Sequence, residues 1–420
     1  MRPRLPRFSR WTISPLSPGK FASAALPPLI FRKGLDRKQE VAGTLAESYH
    51  SELIDAIKEN GYQHHAGRLT VHLAREFGFC YGVDRAVDYA YQARQRFPDR
   101  PVVLTGEIIH NPHVNAQLRA QGIRFLSDPG ESIDALTPDD VVILPAFGIT
   151  IELLQQLETQ GCTMVDTTCG SVLNVWKNVR RYTAEGLTSI IHGKFWHEET
   201  RATASQAASG GGHYLVVLDR AEAAAACEYI RQGGNARDFL AQFERAVSPG
   251  FDPDLHLQRL GCANQTTMLS SESLAIAEMV RDAVRARFGE ADLDLRFRSF
   301  DTICSATQDR QDAVAALLDE RPLDLMIVIG GYNSSNTCNL ARICESRVPT
   351  FHIAEPVGLM SSSEIRHKPV GGTGERISTG WLPDSGPVSV GLTSGASTPD
   401  NLVDIVIRRL DAFANLGESG

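Results

Sequence analysis

No Cys-x-x-Cys pair occurs in these 420 residues, although the chain has eight cysteines. That absence disfavours zinc ribbons and thioredoxin-type redox sites, which rest on such close thiol pairs. Long apolar runs are missing as well. A membrane helix needs about 18–20 apolar residues in succession, and the longest candidate, Phe21 to Phe31, is broken by Pro27-Pro28. Positive charge is in deficit, with a formal net charge of −8. A general nucleic-acid binder needs a basic face, so that class is disfavoured, as is a membrane partner. No signal peptide with a long apolar core is visible, so a reducing, cytoplasmic setting is expected. Neither glycine-rich stretch, Gly210 to Gly212 or Gly371-Gly372-Thr373-Gly374, follows a strand and opens a helix as a nucleotide fingerprint does. No flavin or nicotinamide motif is found. Acidic residues are absent from residues 1–33, which hold seven Lys/Arg and six prolines. Such a segment buries no core, so residues 1–40 are expected to be a disordered basic extension. It matches a transit peptide, which would mean a plastid stroma, or a nonfunctional extension on a bacterial protein.

What is present begins with an echo. Val165-Asp166-Thr167-Thr168-Cys169 and Phe300-Asp301-Thr302-Ile303-Cys304 each read as a buried strand end, then Asp-Thr-x-Cys, then a helix. Phe77-Gly78-Phe79-Cys80-Tyr81-Gly82-Val83 has the same logic without Asp-Thr. A helix N-terminus carries partial positive charge and unpaired N–H groups, which favour a thiolate. Three such thiolates would converge on one metal centre. The other five cysteines, Cys162, Cys227, Cys262, Cys338 and Cys344, read as ordinary small side chains.

The length allows two to four domains, and 42% hydrophobic residues is ordinary for a globular chain. Leu45, Leu53, Ile54 and Ile57 share a helical face over 42–60, closed by Gly61. Continuous apolar runs such as Val141-Val142-Ile143-Leu144 and Leu325-Met326-Ile327-Val328-Ile329 suit parallel strands buried on both faces. His110-Asn111-Pro112-His113 is expected in a loop, residues 233–257 as an irregular insertion, and Glu272 to Phe288 as a helix capped by Ser271. Strand and helix alternate throughout, so the expected class is α/β, with mostly parallel sheets in three similar units around a central cavity. The units run over 41–168, 169–303 and 304–420, each restarting near a cysteine. Ligands of open α/β sheets bind at the carboxyl ends of strands. His110, His197 with Glu199, Gln265-Thr266, Asn333 to Asn336 and Ser397 all follow strands, as the three cysteines do. Asn333-Ser334-Ser335-Asn336 suits a phosphate cradle, or a polar turn with a helix cap. Glu199 reads as a proton donor, or as part of a solvated loop.

Jointly, these stretches resemble the 4-hydroxy-3-methylbut-2-enyl diphosphate reductase family, in its longer plastid and cyanobacterial branch. The matching segments are Gly78-Phe79-Cys80-x-Gly82-Val83-x-Arg85-Ala86, Glu107-Ile108-Ile109-His110-Asn111, Asp166-Thr167-Thr168-Cys169, His197-Glu198-Glu199, Gln265-Thr266-Thr267, Thr302-Ile303-Cys304-x-Ala306-Thr307-x-x-Arg310-Gln311, Asn333-Ser334-Ser335-Asn336 and Gly395-Ala396-Ser397. The resemblance implies one [4Fe-4S] cluster on Cys80, Cys169 and Cys304. It implies Glu199 as proton donor and Thr266 as holder of the substrate hydroxyl and of Glu199. The diphosphate would be held by His110, His197, Ser334, Ser335, Asn336 and Ser397. Electrons would come from a ferredoxin- or flavodoxin-type protein. Phe147 stands where many members of the family have a further diphosphate-binding histidine. Two other readings are a noncatalytic iron–sulfur sensor or scaffold and a zinc hydrolase with three thiolates. The first needs no diphosphate cradle. The second more often includes histidine or a close ligand pair.

Overall fold

The computed structural model describes residues 29–300 and 302–416. Residues 1–28 of the expected basic extension, and Asp301 of the second Asp-Thr pair, lie outside the described residues. The described end of that extension is ordered, contrary to expectation. Strand Ile30–Phe31 pairs in parallel with Thr163–Asp166, and Leu35 is fully buried.

Three sheets carry the fold, and their strand orders repeat. The first runs Ile30–Phe31, Thr163–Asp166, Val141–Leu144, Val102–Leu104, Arg124–Phe125, all parallel. The second runs Phe297–Ser299, Leu260–Asn264, Thr188–His192, Tyr214–Val217, also parallel. The third runs Thr350–Ile353, Leu325–Ile329, Val388–Ser394, Leu69–Leu73 in parallel, with Gln63–Ala66 antiparallel at its edge. Each sheet has its own apolar core. All four residues of Val141–Leu144 are buried, as are all five of Leu325–Ile329. Each large apolar side chain so buried contributes roughly 1.5–3 kcal/mol.

Sheet membership does not follow the sequential division. In the first and second sheets the last strand in chain order leads to a cysteine, Cys169 and Cys304. In the third the strand that leads to a cysteine, Leu69–Leu73 before Cys80, precedes most of its sheet in the chain yet pairs with Val388–Ser394. Each cysteine therefore closes a four-strand unit, and the third unit borrows its closing strand from residues between Ile30–Phe31 and Val102–Leu104 of the first sheet. A local apolar pattern announces a strand without naming its partner, because pairing is decided across the fold.

Local departures have local causes. The expected single helix over 42–60 is two, Lys38–Tyr49 and Glu52–Glu59, because Ser51 is extended and its Oγ accepts from Ile54 N–H at 3.2 Å. Residues 233–257 are not irregular: they hold helices Ala236–Gln242 and Pro253–His256, with Phe239, Phe243 and Phe251 in the second core. The long helix is Ser270–Phe288; its N-cap is Leu269, not Ser271, and Gln311 Oε1 accepts from Ser270 N–H at 3.2 Å. Pro112 starts a helix, Pro112–Ala120, so His113 is helical, whereas His110 stays in the loop before the Asn111 cap.

Candidate active site

One cleft of about 660 Å³, its mouth included, lies where the three sheets' strand ends meet. Cys80, Cys169 and Cys304 line it, with Glu199, His110, His197, Thr266, Ser334, Ser335, Asn336 and Ser397. The three cysteines, Glu199 and the residues expected to hold the hydroxyl and the diphosphate are thus in one place, whereas Gln265 and Asn333 do not line the cleft.

Each of the three cysteines occupies a helix N-cap with extended backbone and no side-chain cap bond. Their amides are spent alike, each on a loop from the neighbouring parallel strand: Cys80 to Ala396 O at 3.1 Å, Cys169 to Ala146 O at 3.0 Å and Cys304 to Thr266 O at 3.4 Å. Gly82 makes room for the thiols, since a Cβ there would lie 2.5 Å from Cys169 Sγ. Burial raises the Cys80 thiol above its ordinary range and pushes Cys304 up to about 11, although Thr307 Oγ1 lies 3.1 Å from Cys304 Sγ. Buried thiols that resist ionisation alone become thiolates on a metal, so the donor set fits a thiophilic centre. One tetrahedral zinc, at about 2.3 Å from each sulfur, would bring the sulfurs within about 3.8 Å of one another. Among the described residues, the three thiols are not gathered within 4.8 Å.

Glu198 and Glu199 open the helix Glu198–Ala208. Glu199 is 2% exposed and its carboxylate accepts from Thr266 N–H at 2.6 Å and Thr266 Oγ1 at 3.1 Å. Burial outweighs those bonds and raises its pKa to about 7. Glu198 is half exposed and held at about 2, chiefly by its bond to His110. Opposed environments hold one of two adjacent carboxyls near neutrality and keep the other an anion.

The histidines face each other, Nε2 to Nε2, at 3.1 Å. His110 Nδ1 meets Glu107 Oε2 at 2.7 Å. Burial alone would lower the His110 pKa, but Glu107 and Glu198 raise it to about 9. His197 is lowered to about 3 by burial and by charged His110. Nδ1 of His197 accepts from Glu199 N–H at 3.1 Å, so its ring proton sits on Nε2. In the 3.1 Å contact only one of the two facing Nε2 atoms donates; with both protonated that bond is lost and both N–H groups are free to donate to an acceptor between them. His110, His197 and Glu198 bring ligand atoms within 4.8 Å of one another, but a ring protonated at Nε2 donates to an anion and does not ligate a cation.

The opposite wall is the start of helix Ser335–Glu345, capped by Ser334. Asn336 is 2% exposed; its Oδ1 accepts from Ala396 N–H at 3.0 Å, and its buried Nδ2 has no partner. Ser335 Oγ accepts from Gln265 Nε2 at 3.1 Å. Gly331 packs directly on His110, since a Cβ there would lie 2.3 Å from its carbonyl oxygen. Phe147 stacks on His110 at 4.3 Å between centroids and meets His197 edge-on at 5.5 Å. It holds both rings in place.

Sequence reasoning missed the roles of Glu107, Glu198 and Gln265. Glu198 and Gln265 adjoin chosen residues and Glu107 lies three residues before His110, and only the folded loops show how these side chains are placed. The remaining cysteines stay out of the cleft: Cys162, Cys227, Cys262 and Cys344 are buried, and Cys338 Sγ contacts Tyr332 O at 3.3 Å.

Among known proteins, a family model described as LytB protein matches residues 71–411. A 4-hydroxy-3-methylbut-2-enyl diphosphate reductase of Synechococcus sp. (strain RCC307) is 49% identical over 390 residues, 92% of this chain and 94% of that one. The enzyme of the same name from Gloeobacter violaceus is 48% identical over 398 residues, covering 93% and 94%. A solved structure of (E)-4-hydroxy-3-methyl-but-2-enyl diphosphate reductase, the terminal enzyme of the non-mevalonate pathway, matches with a TM-score of 0.50 and 27% identity, over 81% of this chain and 99% of that one. The Plasmodium falciparum reductase matches in fold, with a TM-score of 0.56 at 21% identity, over 80% and 86%.

Proposed function

The chain belongs to the LytB protein family, and from that premise we propose that it reductively dehydroxylates 4-hydroxy-3-methylbut-2-enyl diphosphate to isopentenyl and dimethylallyl diphosphates. This is the final step of the non-mevalonate isoprenoid pathway, and the chain is an iron–sulfur oxidoreductase. Two electrons and two protons enter; the C–O bond breaks, one C–H bond forms and water leaves. A [4Fe-4S] cluster held by Cys80, Cys169 and Cys304 supplies electrons and Lewis acidity when bound.

The protein's own groups do the rest. Glu199, protonated below about pH 7, gives a proton to the leaving hydroxyl. Thr266 holds the Glu199 carboxyl by two bonds and orients that proton. Charged His110 and neutral His197 donate to the diphosphate, with Ser334, Ser335, Asn336 and Ser397 on the facing wall. Phe147 shapes the wall and excludes water. Electrons come from a ferredoxin- or flavodoxin-type protein, since no flavin or nicotinamide motif is found in the sequence. No helix among the described residues is long and apolar enough to cross a membrane, and the cyanobacterial relatives support work in the cytoplasm.

The observation that carries this reading is the pairing, in one cleft, of a buried acid near neutrality with converging donors and three thiols. Iron and sulfide analysis of anaerobically purified protein tests it, with a turnover assay using a chemical reductant. Iron and sulfide together with both products are expected. Stoichiometric zinc without sulfide, or a loaded protein that leaves the substrate intact, would overturn it.

A further inference from the structure

We propose that Arg310 is the buried counter-charge of the iron–sulfur centre, and that its guanidinium makes the centre easier to reduce. The proposal rests on the cluster reading given above.

Arg310 sits two turns into the helix Ser305–Glu320, which begins at Cys304, and is 3% exposed. Its Nη1 donates to Ala306 O at 2.8 Å, beside Cys304. Its Nη2 donates to Gly78 O at 2.8 Å, two residues before Cys80. One guanidinium thus ties together two thiol-bearing segments that are far apart in the chain. Its Nε is buried and has no hydrogen-bond partner. Both fork bonds go to neutral carbonyls, and no carboxylate pairs with it among the described residues. A buried cation without an anion is costly. Arg85 makes a comparable fork to Thr167 O and Thr168 O before Cys169, but it is only partly buried, so water shares its charge. Three thiolates crowd negative charge around the centre, and an added electron increases it. A fixed cation in a low-dielectric surrounding offsets that charge most strongly.

Arg310→Gln keeps a donor and removes the charge, whereas Arg310→Lys keeps the charge and loses the fork. The readouts are iron and sulfide content and the midpoint potential of the anaerobic, substrate-free holoprotein. Arg310→Lys is expected to load and keep a potential near that of the parent. Arg310→Gln is expected to need a lower potential, its oxidised-to-reduced ratio rising about tenfold at the parent's midpoint, a shift of about 59 mV for one electron. Loading of the lysine variant with failure of the glutamine variant also supports the proposal. It is overturned if both variants load with equal potentials, if both fail to load, or if only the glutamine variant loads. The parent's iron and sulfide content separates this from failure of the cluster reading itself.

Discussion

Burial separates Glu198 from Glu199 although they adjoin in the chain. The inward carboxyl is raised to about 7 and the outward one held at about 2. Glu199→Gln keeps the shape and removes the acid. Turnover should fall by about 10²–10⁴-fold, the range for a general acid, with the cluster's absorbance unchanged. Near-normal turnover would assign the proton to another group. His110 answers to pH with the opposite chemistry. Glu107, Glu198 and neutral His197 face it, and the two carboxylates raise its folded pKa to about 9 from an ordinary 6.5. A raised histidine contributes its full stabilisation below the ordinary value and loses it as pH rises through the folded one. Affinity for inorganic pyrophosphate should therefore weaken as pH climbs through about 9, and His110→Ala should flatten that dependence. Hydrogen bonds to charged groups are worth roughly 1.5–3 kcal/mol, so the same variant should bind about 10-fold to 150-fold more weakly below that pH. Calorimetric titration checks both. Binding by His110→Ala equal to the parent's would put the diphosphate elsewhere.

At the scale of elements, one arrangement recurs three times: a strand end, an N-cap cysteine, and an amide bond to the loop of the adjoining parallel strand. Repetition gathers the thiols without any close spacing in sequence. Gly82 lies in the first turn of one such helix. Gly→Ala inside a helix ordinarily stabilises by about 1 kcal/mol, but here the new Cβ would stand 2.5 Å from Cys169 Sγ. Rotating that thiol relieves the clash and misplaces a ligand. Gly82→Ala should therefore retain the apoprotein's thermal stability while its iron content drops. Cys80→Ser, Cys169→Ser or Cys304→Ser should do likewise, and Cys227→Ser should leave iron content intact. Full iron in Gly82→Ala would show that the crowding does not matter.

For the whole molecule, the third unit is closed by Leu69–Leu73, which pairs in parallel with the distant Val388–Ser394 as well as with the adjacent Gln63–Ala66. Sheets of parallel strands open as cooperative units. Native-state hydrogen exchange should accordingly show amides of 69–73 opening with those of Val388–Ser394 and Leu325–Ile329. Exchange of 69–73 together with the first sheet would contradict that coupling.

The α/β class, the strand-end location of the polar stretches and the three cysteines were legible in the sequence, because apolar runs, Asp-Thr-x-Cys and capping chemistry are local signals. The helix over 42–60 and the insertion at 233–257 were misjudged where a single serine cap and scattered phenylalanines outweighed the broad pattern. Three things needed the tertiary structure. The permuted closing strand did, because backbone hydrogen-bond partners lie across the fold. The opposite protonation of two adjacent glutamates did, because burial is a property of the packed interior. The meeting of His110 with His197 and of Arg310 with Gly78 did, because electric fields act through space, and chain order says little about distance.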